Sequence, residues 1–318
     1  MSSRAWRWVR FSGAAAVLAA IVWRLGTGPF RDGIRAVDAG VLLVGLGIGL
    51  GTTICCAWRW TVVARGLGID LKLPAAVAAY YRSIFLNLTL PGGVVGDVHR
   101  GVRHGRDAGD VGRGLRAVAW ERTAGQVVQA LLTLVVLLAL PSPVRTFVVP
   151  LAISVVGASI GVALLVDRAR PRGRSWWARA RRGVARDVRA GLLARRALPV
   201  VAVTSALVVV GHALTFLVAA RAAGVSAPPT RMLPLALLAM LGMVVPGIAG
   251  WGPREGATAW VFGAAGLGAD QGVATAVVYG VMVLVAALPG ALVLLGARLD
   301  SPLRNLVAGA RTDGVADA

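Results

Sequence analysis

Two short segments interrupt apolar runs of this sequence, and each combines proline and glycine with an arginine and a carboxylate. These two breaks are the segments whose residues could most clearly bind a ligand. The first break comprises Pro91, Gly92, Gly93, Gly96, Asp97 and Arg100. The second comprises Pro246, Gly247, Gly250, Gly252, Arg254 and Glu255. Glycines permit turns that leave N–H groups free beside the start of the next helix, where the helix dipole favours anions. Each break therefore has the composition of a phosphate-binding corner, although tight packing at a hairpin tip needs the same glycines.

The chain has two glutamates, and each stands beside an arginine near the start of an apolar run. The pairs are Glu121-Arg122 and Arg254-Glu255, one in each half. Charged side chains at membrane depth are costly and usually face a cavity or a charged partner. Arg82 lies in the apolar run before the first break, and Asn87 begins the stretch that leads into it. Two interpretations stay open: structural ion pairs that pin broken helices, or groups that handle a substrate or a proton.

No sequence pattern predicts a catalytic residue, a metal site or a cofactor. No cluster of His, Cys and carboxylate residues has metal-ligand spacing, and no Gly-x-x-x-x-Gly-Lys loop is present to bind a nucleotide. No serine or cysteine has an evident base partner, and His212 in an apolar run is more often an interhelical hydrogen-bonding residue than a ligand. We therefore expect a transporter rather than an enzyme, with no ATP hydrolysis by this chain.

The elements around these residues are apolar runs long enough to cross a membrane. Of 318 residues, 57% are hydrophobic, and the mean hydropathy is +0.73. A helix needs about 20 apolar residues to span the hydrocarbon core. We predict an all-α, polytopic integral membrane protein with six full spans. They are Val9–Leu25, Ala39–Trp58, Leu115–Leu140, Val144–Val166, Ala197–Ala220 and Gly272–Gly296.

Two further apolar segments, Ala75–Leu90 and Met232–Val245, are too short for a full crossing and end at the two breaks. We predict that each is the first limb of a re-entrant hairpin, the first hairpin entering from the cytoplasm and the second from outside. The positive-inside rule supports this prediction. If Ala75–Leu90 crossed completely, the eleven arginines of Asp167–Arg196 would lie outside.

The predicted elements form two halves, each with three spans and one hairpin, within a single membrane domain of residues 1–318. The first repeat covers residues 9–140 and the second covers 144–296, and an odd number of spans per half makes the second repeat inverted. Residues 167–196 form a basic cytoplasmic connector, either an amphipathic helix with Trp176 and Trp177 at headgroup depth or a solvated link. Residues 297–318 form a short cytoplasmic tail. We expect both termini in the cytoplasm and the protein in the cell membrane.

The net charge of +20 does not indicate nucleic-acid binding. Arginine supplies all but one of the 34 basic residues, and these cluster between spans as membrane topology requires. No nucleic-acid recognition motif accompanies them. The expected partners are membrane lipids and the anionic inner leaflet. A second copy of the chain, or a lipid- or glycan-synthesising enzyme, is left open as a partner.

The same motifs resemble the flippase-like membrane domain of lysylphosphatidylglycerol synthases, the multiple peptide resistance factors, and its stand-alone relatives. The resemblance extends from about Val9 to Gly296. It is carried by Arg59-Trp60, the stretch Asn87 to Arg100, Glu121-Arg122 and the stretch Pro246 to Gly256. Val95 and Pro253 depart from the family pattern, which leaves the fine geometry of the hairpins open.

The resemblance implies a lipid translocase for a phospholipid, glycolipid or other polar-headed lipid, with the residues of both breaks and Arg82, Asn87, Glu121 and Arg122 around the headgroup. The identity of the lipid does not transfer, because the relatives are linked to varied lipids. The soluble aminoacyltransferase domain of bifunctional members is not present before Ala318, so lipid aminoacylation is not expected. The alternatives are a non-transporting accessory subunit of lipid or glycan assembly, and a membrane enzyme with Glu121 or Glu255 as general base.

Overall fold

The computed structural model describes residues 17–90, 93–140, 176–242 and 251–296, together with six separate helical residues at 146, 150, 153, 157, 160 and 161. The described stretches form eleven helices and contain no strand, which confirms the predicted all-α class. In chain order they are α1 (residues 17–25), α2 (Gly28–Arg35), α3 (Ala39–Gly66), α4 (Leu73–Thr89), α5 (Val95–Asp107), α6 (Val111–Ala139), α7 (Trp176–Gly191), α8 (Ala197–Ala222), α9 (Pro229–Gly242), α10 (Pro253–Ala264) and α11 (Ala269–Ala287, extending to Gly296).

Four helices are long and apolar enough to cross a membrane, namely α3, α6, α8 and α11, with 28, 29, 26 and 28 residues. They correspond to four of the six predicted spans, and the chain is a multi-pass membrane protein. Of the predicted span Val9–Leu25, residues 17–25 are described and helical. The predicted span Val144–Val166 lies outside the described residues, apart from the six separate positions. These two spans stay predictions.

The spanning helices do not end where the apolar runs end. α6 begins at Val111 rather than Leu115, because the carboxylate of Asp110 accepts the Arg113 N–H at 2.9 Å and caps the helix. α3 likewise continues past the apolar run to Gly66. Hydropathy finds the apolar length of a helix and misses its polar ends.

α3 lies at the centre of the bundle, and two contacts show that α8 runs antiparallel to it. Arg59 near the end of α3 contacts Ser205 near the start of α8, whereas Thr52 packs against Gly211 further along. α11 runs parallel to α3, since Gly49 packs against Ala286 and Gly45 packs against Met282. The end where α3 finishes and where α6 and α8 begin is called the basic end. It carries Arg65, Lys72, Arg113 and Arg116.

α4 and α5 form a helical hairpin that starts and finishes at the basic end. Asp97 near the start of α5 bonds to Ser83 and Asn87 near the end of α4, which fixes the antiparallel arrangement. α5 then returns along α6, where Gly105 packs against Val111. At 17 residues α4 is ~25 Å long, shorter than the ~30 Å hydrocarbon core.

α9 and α10 form a second hairpin at the opposite end of the bundle. α9 follows the end of α8, and α10 finishes just before the start of α11, so both outer ends of this hairpin lie far from the basic end. Gly242 at the end of α9 packs against Ala257 near the start of α10. Phe216, Phe262 and Tyr279 pack together beneath it, with ring centroids 6.2 Å apart in both ring pairs.

The predicted basic connector contains α7, which docks at the basic end. Arg116 of α6 donates from Nε to the carboxylate of Asp187 at 2.8 Å, and Gly66 packs against Ala190. The connector is therefore helical where it is described. The side chains of Trp176 and Trp177 lie outside the described part, so their depth stays a prediction.

Candidate functional site

Glu121 of α6 lies at the centre of the larger group of charges. Its carboxylate is 0% exposed and accepts hydrogen bonds from three other helices. Arg59 donates from Nε at 2.9 Å and also from Nη2, the Tyr80 hydroxyl donates at 3.1 Å, and Arg100 donates from Nη2 at 2.8 Å. A buried carboxylate persists only with such compensation. Glu121 thus fixes α3, α4 and α5 against α6.

Asp97 is the second carboxylate of this group. Its Oδ1 accepts from the Ser83 hydroxyl and from Arg100 Nε, both at 3.1 Å. Its Oδ2 accepts from the Asn87 amide at 3.0 Å and from Arg122 Nη2 at 2.5 Å. Arg122 pairs with Asp97 and not with its sequence neighbour, because consecutive helical residues point to different faces. The first ionic centre comprises Arg59, Asp97, Arg100, Glu121 and Arg122.

Gly96 brings the two arms of the α4–α5 hairpin into contact. A Cβ at this position would lie 2.0 Å from the Ser83 carbonyl oxygen, so only glycine allows the approach. The Gly96 N–H donates to the side-chain carbonyl of Asn87 at 2.8 Å. This amide was expected to be free for an anion, and it is instead occupied. Gly96 therefore serves close packing, and its N–H is not free to bind an anion.

The first ionic centre has more positive than negative groups, with three guanidinium groups against two carboxylates. Arg59 and Arg100 are buried, whereas the Arg122 side chain is 43% exposed. Nη1 of Arg100 is also buried without a hydrogen-bond partner. Arg122 is the most exposed arginine of this centre, although its Nε is also buried without a hydrogen-bond partner and its Nη2 is paired with Asp97.

Glu255 and Arg254 form the second ionic centre at the start of α10. The Glu255 carboxylate is 0% exposed and accepts the Gly252 N–H at 2.6 Å, which caps the helix. Arg254 donates to the same carboxylate from Nε at 2.8 Å and from Nη2 at 2.5 Å. Gly252 has φ of 106°, a conformation that favours glycine.

In both centres a buried arginine lies against a glycine of a long helix. A Cβ at Gly280 would lie 2.4 Å from Arg254 Nη2, and a Cβ at Gly125 would lie 3.0 Å from Arg59 Nη1 and Nη2. Aromatic rings complete the packing, since the Arg254 guanidinium carbon lies 5.7 Å from the Tyr279 ring centroid. Each half of the chain therefore holds a buried guanidinium–carboxylate pair beside a helical hairpin.

Comparison with known families matches residues 7–290 of the chain to the family described as Lysylphosphatidylglycerol synthase TM region. The chain belongs to this family. The match includes both ionic centres, and it confirms the resemblance carried by the sequence motifs. No curated protein matches the chain.

In this lysylphosphatidylglycerol synthase transmembrane region, the structure brings together only some of the residues predicted to surround a headgroup. Asn87, Gly96, Asp97, Arg100, Glu121 and Arg122 meet in the first half, and Gly252, Arg254 and Glu255 meet in the second. Gly93 has φ of 62° at the turn of the first hairpin. Arg82 forms no ion pair with either centre. Pro91, Gly92, Pro246, Gly247 and Gly250 lie outside the described residues, so their predicted roles stay predictions.

One member of the first ionic centre and three of its hydrogen-bond partners were not among the predicted site residues. They are Arg59, Tyr80, Ser83 and Ser205. The sequence did contain a sign that Arg59 belongs to the site, because this arginine directly follows a long apolar run. The predicted end of that run at Trp58 placed Arg59 outside the membrane, whereas α3 continues to Gly66.

A cavity of about 70 Å³ lies between α3, α4, α8 and α11, and polar residues connect it to both centres. Cys56 lines the cavity and accepts from Arg59 Nη2 at 3.7 Å. His212 lines it from the other side, and its Nδ1 lies 3.0 Å from the hydroxyl of Tyr279, whose ring faces Arg254. The other residues that line the cavity are mostly apolar. Little polar surface therefore lies between the two centres.

Within the part of the chain that the structure describes, no three His, Cys, Asp or Glu side chains come together in a way that could hold a metal ion. The charged groups at the two centres are guanidinium and carboxylate groups, which can bind ligands of opposite charge.

Proposed function

We propose that the chain moves a polar-headed lipid between the leaflets of the cell membrane. The observation that carries this proposal is that two buried guanidinium–carboxylate centres, each beside a hairpin of helices, lie on either side of one cavity. Buried ion pairs are weak contributors to stability compared with apolar packing. Their occurrence in both halves of a membrane protein therefore favours a role in handling charge.

The two hairpins enter from opposite ends of the bundle, which supports an inverted repeat with both hairpins re-entrant. Discontinuous helices at the interface of inverted repeats form substrate sites in many transporters. In the proposed topology the basic end lies in the cytoplasm, as the positive-inside rule requires. Rocking of one half against the other would then expose the headgroup to each leaflet in turn.

The excess of guanidinium groups in the first ionic centre favours a lipid with an anionic headgroup. The phosphate would take the place of Asp97 on Arg122, which is the exposed arginine of the centre, and then reach the unpartnered Nη1 of Arg100. Asp97 and Glu121 would restore the internal ion pairs on release, and Arg254 and Glu255 would do the same in the second half. The acyl chains would stay in the bilayer.

The test is transfer of a fluorescent phosphatidylglycerol in proteoliposomes, measured by loss of the signal that an external quencher can reach. Arg122→Gln should lower the transfer rate at least about tenfold, because the partly exposed arginine that pairs with Asp97 is lost. Arg113→Gln is the matched control: it lies on the same helix, its side chain is 41% exposed, and it also pairs with an aspartate. Equal rates for the two variants would refute the proposed role of the first ionic centre.

The same preparation separates the alternatives. Wild-type proteoliposomes without transfer, together with a stoichiometric protein partner that copurifies, would favour an accessory subunit. New covalent lipid products after incubation with a total lipid extract would favour a headgroup-modifying enzyme.

A further inference from the structure

His212 lies in the middle of α8 and lines the cavity between the two ionic centres. Because α8 runs from Ala197 to Ala222, His212 is ~22 Å from the basic end of the helix and ~15 Å from the opposite end. An ionisable side chain at this depth in a membrane is costly, and such residues commonly line the paths of substrates or protons. His212 is a member of neither ionic centre, so the ion pairs described above do not account for it.

The cavity beside His212 is large and polar enough to hold water. Its volume of about 70 Å³ is several times the space that one water molecule needs. The wall is mostly apolar, but three threonine hydroxyls, a thiol and an imidazole also line it. They belong to Thr52, Thr53, Thr215, Cys56 and His212. A proton can therefore reach the imidazole through water inside the cavity.

Of the described residues that line the cavity, His212 is the one that can carry a positive charge. The arginines of the two centres approach the cavity only through a neighbouring side chain. Arg59 contacts Cys56, and Arg254 lies against the ring of Tyr279. Both arginines are already paired with a carboxylate. An anion inside the cavity would therefore have no counter-ion while the imidazole is neutral, and it would gain one when the ring is protonated.

The hydrogen bond between His212 and Tyr279 must change when the ring takes up a proton. Nδ1 of His212 lies 3.0 Å from the Tyr279 hydroxyl. A neutral imidazole has one donor and one acceptor nitrogen, whereas an imidazolium donates from both. After protonation the hydroxyl can only accept from Nδ1, and its own proton must turn away. The Tyr279 ring faces Arg254, so this change takes place beside the second ionic centre.

The groups that face His212 leave it without a permanent counter-charge. From α3 comes the thiol of Cys56, with the ion pairs of the first centre behind it. From α11 comes Tyr279, with the balanced pair of the second centre behind it. From α4 come Ile84 and, next to Thr53, the hydroxyl of Tyr81. Apolar side chains of α6 and α9 pack against α8, namely Leu132, Val136, Leu233, Leu237 and Met240.

We propose that His212 binds a proton that accompanies an anionic headgroup through the cavity. This inference rests on the proposed function and adds the ion that is coupled to it. A hydronium ion gives its proton to the unprotonated nitrogen of the neutral ring and leaves a water molecule, and the reverse step returns the proton to water. While the proton is bound, the imidazolium balances the negative charge of the phosphodiester. Little net charge then enters the interior of the membrane domain.

The first test is proton uptake by the purified full chain in weakly buffered detergent at pH 7, followed with a pH-indicator dye. Addition of short-chain phosphatidylglycerol should cause the wild type to take up about one proton per chain, since one imidazole is the binding group. Short-chain phosphatidylcholine, which carries no net charge, should cause none. His212→Gln should abolish the uptake. His99→Gln is the matched control, because it removes an exposed histidine of α5, and it should behave like the wild type.

Tyr279→Phe distinguishes proton binding from a purely structural hydrogen bond. This variant loses the hydroxyl and keeps the imidazole, so it should retain the uptake and change only the pH at which it is half complete. His212→Gln should lose it. Uptake that persists in His212→Gln would overturn the proposal, as would an equal loss in His99→Gln or in Tyr279→Phe. Absence of uptake by the wild type would overturn it without any variant.

Transfer of fluorescent phosphatidylglycerol in proteoliposomes separates this inference from the proposed function. Transfer by the wild type should become faster as pH falls, by at most about tenfold per pH unit for a single proton, and transfer by His212→Gln should not depend on pH. Equal pH dependence in the two proteins would refute the coupling and leave lipid transfer standing. Proton uptake without any transfer would refute the proposed function and leave His212 as a group that binds a proton together with an anion.

Discussion

Replacing Glu121 with glutamine should be the most damaging single change in the ionic centres. The substitution keeps the shape of the side chain and removes its charge. Glu121 is 0% exposed and accepts two hydrogen bonds from Arg59, one from Tyr80 and one from Arg100. After the change, three guanidinium groups would face the single carboxylate of Asp97. An amide N–H would also point at one of the arginine donors, so a hydrogen bond would be lost as well.

The magnitude follows from the number of guanidinium groups left without compensation. Removing one partner of a buried ion pair costs about 3–5 kcal/mol, and Glu121 is the partner of two arginines. We expect a loss of unfolding free energy at the upper end of this range for Glu121→Gln. Glu255→Gln leaves one arginine without its carboxylate, so its loss should be smaller.

The assay is equilibrium unfolding in mixed micelles with increasing sodium dodecyl sulfate, followed by helical circular dichroism. Combining Glu121→Gln with Arg100→Gln removes one uncompensated cation and should recover part of the lost free energy. That recovery is a coupling between neighbours that independent sites would not show. A loss for Glu121→Gln no larger than that for the surface variant Arg113→Gln would refute the reasoning, as would purely additive effects in the double variant.

Three glycine substitutions test the packing that positions the centres. Gly96→Ala should cost about 3 kcal/mol or more and separate the two arms of the first hairpin, because its Cβ would collide with the Ser83 carbonyl; unfolding and a distance between spin labels on the two arms measure this. Gly280→Ala should displace Arg254. The relative loss in the rate of lipid transfer should exceed the relative loss in unfolding free energy, and parallel transfer and unfolding assays measure the two. Gly47→Ala, where a Cβ meets nothing within 4 Å, should preserve both properties and stabilise the helix by up to about 1 kcal/mol; a loss in either assay would contradict the packing argument.

Hydropathy predicted the four spanning helices because each contains a predominantly apolar run of the required length. It misplaced the polar ends, since Asp110 extends α6 by capping and α3 continues to Gly66. That error had a consequence for the site. With the span ending at Trp58, Arg59 counted as a connecting residue, although its side chain is buried and bonds to the central carboxylate of the first centre.

The motifs named charged residues that lie together in the structure, but they did not predict which residues pair. Glu121 and Arg122 are adjacent in the sequence, yet Arg122 of α6 bonds to Asp97 of α5. Arg254 and Glu255 do bond to each other, because the glutamate folds back to cap Gly252 at the start of α10. Helix periodicity separates neighbours, whereas a helix start can bring them together. Distant partners such as Ser205 depend on helix packing, which no local pattern contains.

The two centres differ in charge balance, and this difference suggests a division of roles. The second centre is a balanced pair in which both side chains are buried, and its carboxylate also caps a helix. The first centre has an excess guanidinium, an exposed arginine and an unpartnered donor on Arg100. An anionic headgroup gains more where positive charge is in excess than where it must first break a balanced pair. In the proposed function, the first hairpin is therefore expected to bind the headgroup more tightly than the second.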